Sequence, residues 1–135
     1  MKVFVSGIFA LTLLAASASG AAAQDDQEGL KVYFPSGSSQ VSRDQAAVLD
    51  QAARLFREGN PFVMILSGTA DTVGVAERNL DLSLRRARAV ADGLVARGIP
   101  VGRLQVLGRG NSELEVETAD GVPSEENRVV VITWR

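Results

Sequence analysis

The apolar positions change period along this chain, and the changes mark its elements. Val3 to Ala16 is an apolar run broken only by Ser6, Gly7 and Thr12. One cation, Lys2, precedes it, and the small residues Ser17 to Ala23 follow. The run is shorter than the roughly 20 residues a membrane-spanning helix needs. This layout predicts a secretory signal peptide over 1–23, with small Ala21 and Ala23 before a cleavage point at Gln24. No transmembrane segment is expected after that cleavage. Gln24 to Gly29 is polar and acidic and predicts a short flexible lead over 24–29.

From Leu30 the pattern is that of a folded domain, 30–135. Leu30 to Phe34 reads as a strand, ended by Pro35-Ser36-Gly37-Ser38-Ser39. Ser42 is placed to cap a helix, with Gln45 completing a capping box and Val41 and Ala46 forming a hydrophobic staple. Ala46, Leu49, Ala53 and Phe56 keep helical spacing until Gly59-Asn60-Pro61. Phe62 to Leu66 is continuously apolar, the pattern of a strand covered on both faces. Ser67 to Val75 predicts a loop. A second helix is expected over about Glu77 to Arg97, with Leu80, Leu84, Ala87, Ala91 and Leu94 as its buried stripe. Ser83 falls inside it or caps a helix that starts later. Asp81 and Arg85 stand at i,i+4 on its wet side. Leu104 to Leu107 predicts a third strand, Gly108 to Asn127 an irregular connection, and Arg128 to Trp134 a β-branched closing strand. The order β-α-β-α-β-β predicts an α+β fold, a two-layer sandwich with a mixed four-stranded sheet and both helices on one face.

Composition removes most chemistries. The 135 residues include no His and no Cys, with 14 Lys+Arg against 16 Asp+Glu. No disulfide, Cys/His zinc site, lipobox or His- or Cys-based catalysis is possible. A net charge of −2 gives no overall basic footprint for nucleic acid. The succession of short alternating segments that a membrane barrel requires is missing as well. Ser36, Ser38 and Ser39 cluster without a base to activate them, and Lys31 sits in a predicted strand. Glu113, Glu115 and Glu117 alternate as a solvated acidic edge, with weak cation binding as the second reading. The segment Gly68 to Gly74 lacks the following Gly-Lys-Ser/Thr of a phosphate loop, and Gly108-Arg109-Gly110 reads as a turn. No enzyme activity, cofactor or metal is expected.

Gly68 to Ala87 carries the strongest chemical signal. Asp71 lies in a loop just past a buried strand, and Arg86 lies early in the next helix. Acid and base then face one pocket, able to hold an ammonium and a carboxylate on one carbon. Arginine binds a carboxylate through two parallel N–H bonds, and aspartate accepts from the ammonium. The alternative is an ion pair that merely pins the loop.

The same stretch resembles the OmpA-like C-terminal domain family, a peptidoglycan-binding module. Gly68-Thr69-Ala70-Asp71-Thr72-Val73-Gly74, then Asn79, then Leu82-Ser83-Leu84-Arg85-Arg86-Ala87 follow the family pattern. The likeness continues through Gly98-Ile99-Pro100, Arg103-Leu104, Gly108-Arg109-Gly110 and Asp120-Gly121-Val122 to Asn127-Arg128. At the front, Val32-Tyr33-Phe34 and Gly37-Ser38-Ser39 are similar to the family's opening strand and loop. The resemblance implies that Asp71 and Arg86 bind diaminopimelate in the stem peptide of peptidoglycan. It implies pocket-lining or supporting places for Thr69, Ala70, Thr72, Asn79, Asn127 and Arg128. Leu82 and Ser83 are expected to be structural, and Arg85 and Arg88 to face solvent. It also implies a periplasmic, non-enzymatic role in the Gram-negative envelope, with other envelope proteins as further possible partners. Two positions depart from the pattern. Thr69 replaces the family's His, and Val129 replaces a second arginine. Those departures motivate the alternative of an interaction module for an envelope complex that has lost peptidoglycan affinity.

Overall fold

The computed structural model describes residues 29–135. The leader expected over 1–23 and the lead up to residue 28 lie outside the described residues. The elements are β1 (Leu30–Tyr33), α1 (Arg43–Gly59), β2 (Met64–Gly68), α2 (Ala76–Ala96), β3 (Leu104–Gly108) and β4 (Val129–Trp134), with short 3-10 turns at Val101–Arg103 and Glu125–Asn127. The predicted β-α-β-α-β-β order is therefore the observed one.

The sheet order is β1-β4-β2-β3. The last strand inserts between the first two and runs antiparallel to both, while β2 and β3 are parallel. Val32, Met64, Leu66, Val130 and Ile132 meet Leu49, Ala52 and Ala53 of α1 and Ala87, Val90 and Leu94 of α2 in one core. Burying that apolar surface is the main favourable term in folding. No described helix is long and apolar enough to cross a membrane.

Three local expectations need correction. β2 is not covered on both faces. Met64, Leu66 and Gly68 are buried, whereas Ile65 and Ser67 are half-buried on the face away from the helices. The strand also starts two residues later than its apolar run. Phe62 is 87% exposed, in a turn held by Arg103, whose Nε–H donates to the Phe62 carbonyl at 2.9 Å. The Phe62 and Val63 N–H groups both converge on the Arg135 carbonyl, at 2.7 and 3.4 Å, so the regular ladder begins only after them.

The capping box does not form either. Ser42 occupies the N-cap position, but its side chain makes no cap bond. The Gln45 amide oxygen instead accepts the Tyr33 N–H at 2.8 Å. Tyr33 lies on the sheet-edge strand β1, where outward backbone groups lack a neighbouring strand. The helix ends on Asn60, which is left-handed at φ 45 and returns its N–H to Phe56.

In α2 the buried stripe is rotated from the expected one. Leu80 is 50% exposed. Asn79, Ser83 and Arg86 are buried in its place, followed by Ala87, Val90, Ala91 and Leu94. The first turns of α2 pass the ends of β2 and β3 and cover loops whose polar backbone groups need partners. Ser83 lies inside the helix. Its hydroxyl donates to the Leu80 carbonyl and accepts the Gly110 N–H, each at 2.8 Å. The Asp81–Arg85 pair forms at 2.9 Å and is exposed, so it contributes little.

Glycines set the helix-to-sheet spacing. A Cβ at Gly68 would stand 2.2 Å from the Ser83 carbonyl oxygen. At Gly110, which is left-handed at φ 57, it would meet the Leu80 Cα at 2.9 Å. These contacts press the first half of α2 against the ends of β2 and β3, which fixes the position of Arg86.

Candidate functional site

The sheet order brings three connections to one pole. They are the segment after β1, the loop after β2 and the long connection entering β4. Asp71 sits on the second, Arg128 closes the third, and Arg86 reaches in from α2.

Arg86 is fully buried. Its Nε–H donates to the Ser38 carbonyl at 2.8 Å, Nη2 to the Pro35 carbonyl at 3.0 Å and Nη1 to the Thr69 carbonyl at 3.4 Å. The guanidinium also lies 5.4 Å from the centre of the Phe34 ring, a cation–π contact. Three of its five N–H groups are thus engaged, all by neutral acceptors. Burial pulls its pKa down to about 10; Asp71 opposes the fall, and Arg128 and Arg85 add to it.

Asp71 is 7% exposed. Oδ1 accepts the Val73 N–H at 3.2 Å, and Oδ2 accepts the Ser124 N–H at 3.3 Å. Its direct ion pair is with Arg128, Nη1 to Oδ2 at 3.2 Å, both side chains being largely buried. The Arg128 Nε–H donates to the Phe34 carbonyl at 3.1 Å. The structure therefore brings Asp71 and Arg86 into one electrostatic environment, as their spacing implies. Their ion pairing is not the expected one, because Arg128 holds the carboxylate. Within the pole two arginines face one aspartate, with the exposed Glu125 4.0 Å from Arg128 at its rim.

The remaining expected residues support the loops. The Thr69 N–H and hydroxyl both donate to the Val129 carbonyl, at 2.9 and 3.3 Å, and the hydroxyl also reaches the Asn127 carbonyl at 2.8 Å. The two departures from the family pattern thus touch each other. Ala70 is buried and its N–H donates to the Gly110 carbonyl. Thr72 staples the turn at 119–122, its hydroxyl donating to Ala119 and accepting from Val122. Asn79 Nδ2 donates to the Val73 carbonyl at 3.1 Å. Fully buried Asn127 makes a two-way amide clamp on Val116, 2.8 and 2.9 Å.

Phe34, Pro35, Ser38 and Ser124 were not expected at the site in these roles. They act through a ring and backbone groups, which no side-chain motif announces. Ser38 contributes its carbonyl to Arg86, not a nucleophile. Arg109 pairs with Glu113 and also bonds the Ser67 hydroxyl, while Glu115 and Glu117 are exposed. Among the described residues no three acidic side chains gather into a cation site. A cleft of about 640 Å³ opens beside Arg128, with Tyr33, Phe34, Pro35 and Ser36 on its walls.

Comparison with known proteins agrees with this architecture. The chain is 32% identical over 106 residues to a peptidoglycan-associated lipoprotein of Rhizobium meliloti, covering 77% of this chain and 60% of the relative. It therefore spans less than two thirds of that protein's length. Its fold matches the peptidoglycan-associated lipoprotein of Burkholderia pseudomallei with a TM-score of 0.71 at 25% identity, over 78% of this chain and 89% of the other. It also matches a cell wall anchor of Pseudomonas aeruginosa with a TM-score of 0.64 at 30% identity, over 76% and 73% of the two chains. Residues 33–128 match the OmpA family, from the end of β1 to the residue before β4. The chain belongs to the OmpA family.

Proposed function

We propose that this chain is a non-enzymatic module that binds peptidoglycan non-covalently, recognising diaminopimelate in the stem peptide. One observation carries the reading. The pole holds a buried carboxylate, Asp71, and a buried guanidinium, Arg86, together, an acceptor for an ammonium beside a donor for a carboxylate. A relative and a structural neighbour named for association with peptidoglycan, and another for anchoring at the cell wall, support peptidoglycan as the binding partner. With the leader expected over 1–23, the reading places the chain in the periplasm of a Gram-negative envelope.

In this mechanism the Asp71 carboxylate accepts from the ammonium of diaminopimelate, and Arg86 receives the carboxylate on the same carbon. The ligand oxygens replace the Pro35 and Ser38 carbonyls on Arg86. Anionic acceptors form stronger bonds with a guanidinium than neutral carbonyls do. The exchange shifts the Pro35–Ser38 turn. That motion is open to it, because Pro35, Ser36 and Gly37 are exposed and nothing lies within 4 Å of a Cβ at Gly37.

Co-sedimentation with diaminopimelate-type sacculi tests this. The wild-type chain is expected to pellet at low salt, and Asp71→Asn to stay in the supernatant while remaining folded by circular dichroism. The bound fraction falls as salt rises, but less than for an exposed charge pair. A wild-type chain that stays in solution would refute the reading and favour a role as an interaction module for envelope proteins.

A further inference from the structure

The buried charges at the pole carry information about which form of the ligand fits. This inference rests on the diaminopimelate reading above. The side chain of diaminopimelate ends in a carbon bearing one ammonium and one carboxylate. That group is neutral overall, and it leaves the site with its surplus positive charge. Asp71 answers the ammonium and Arg86 the carboxylate, so Arg128 loses its share of Asp71 and gains nothing.

We propose that Arg128 is a specificity-determining residue that takes a second carboxylate, so that the site favours stems ending at diaminopimelate. In such a stem both carboxylates of the residue are free. Two carboxylates and one ammonium then mirror two arginines and one aspartate. In a longer stem the second carboxylate is consumed in a peptide bond to the next residue, and Arg128 meets a neutral amide.

The position of Arg128 suits this role. It stands between Asp71 and the cleft, touching the carboxylate at 3.2 Å and lining the cleft wall with Phe34, Pro35 and Ser36. Its side chain is 13% exposed, so it is reachable, yet it is shielded enough for a charge-assisted bond to count. The other charges nearby do not cancel it. Glu125 lies 4.0 Å from Nη2 but is 88% exposed. Asp44 and Glu126 are exposed as well, and both line the cleft. These three carboxylates weigh against an anion at the mouth, so the second carboxylate is held only where it reaches the Arg128 guanidinium directly. Arg85, beside Arg86, is neutralised by Asp81. Stems of the favoured kind arise by a carboxypeptidase reaction that removes the residue following diaminopimelate.

The test is a calorimetric titration of the chain with two soluble muropeptides, one ending at diaminopimelate and one extended by D-alanine. The shorter stem is expected to bind about tenfold more tightly at low salt, the gain from one charge-assisted bond at a partly exposed site. Arg128→Gln is expected to remove the preference and Arg128→Lys to keep much of it. Equal affinity for the two stems in the wild-type chain would overturn the proposal and leave the diaminopimelate reading standing. A preference that survives Arg128→Gln would also overturn it, since another group would then read the stem end. Absence of binding to either muropeptide would sink both.

Discussion

Replacing Gly68 by alanine is expected to destabilise the domain by about 3 kcal/mol, the upper range for overpacking. The added methyl would sit 2.2 Å from the Ser83 carbonyl oxygen and 3.0 Å from its carbonyl carbon. Both are helix backbone, which cannot rotate away as a side chain can. The first half of α2 must therefore lift from the sheet, and Arg86 moves with it. Thermal melting is expected to fall by more than about 10 °C. Gly93→Ala is the matched control. Its methyl would meet Leu49 Cδ1 at 2.5 Å, the far end of a flexible side chain. Repacking of Leu49 then offsets the roughly 1 kcal/mol that alanine gains over glycine within a helix. A Gly68→Ala chain as stable as Gly93→Ala would show that the close approach of α2 is not enforced.

Arg86→Met is expected to separate stability from binding. Loss of the guanidinium removes the partner for the ligand carboxylate, and affinity for diaminopimelate stems should drop by about two orders of magnitude. Stability should change by no more than about 1 kcal/mol, because two terms oppose each other. Burial holds the Arg86 pKa at about 10, so keeping it charged at neutral pH costs on the order of 3 kcal/mol. Against this stand the carbonyls of Pro35, Ser38 and Thr69, which lose a donor. Pro35 and Ser38 lie in a turn that water can reach, so their loss is modest. The sign in pH follows. The cost of the charge is present in full below about pH 10 and is relieved as pH rises through that value, where the unfolded chain holds more protons than the folded one. Arg86→Met should lack that alkaline gain. Chemical denaturation of both chains at neutral pH and near pH 10.5, beside a sacculus-binding assay, checks all three expectations. A loss of several kcal/mol at neutral pH would make Arg86 a structural residue first.

Much of this was legible in the sequence because it depends on local pattern. The element order, both helix ends and the placing of Asp71 and Arg86 at one pole follow from periodicity, glycine and proline positions and strand-loop-helix succession. What escaped was long-range. The sheet order inserts β4 between β1 and β2, and only that insertion puts Arg128 against Asp71, 57 residues away in sequence. Leu80 reads as core by spacing, but its turn of α2 lies past the end of the sheet, where Asn79, Ser83 and Arg86 are needed inward. Gln45 fits a capping box by spacing, but an unpaired edge N–H on Tyr33 takes its side chain. In each case a partner distant in the chain decides what a local rule leaves open.

The most direct measurement compares diaminopimelate with lysine at the same position of the stem. Lysine is diaminopimelate without the carboxylate that Arg86 is held to receive, and it keeps the ammonium for Asp71. Titration calorimetry of the chain with matched soluble muropeptides isolates that single group. Binding of the diaminopimelate form, with the lysine form weaker by at least about tenfold, is the expected result. Equal affinity for the two stems, or none for the diaminopimelate form, would contradict a site built on Asp71 and Arg86.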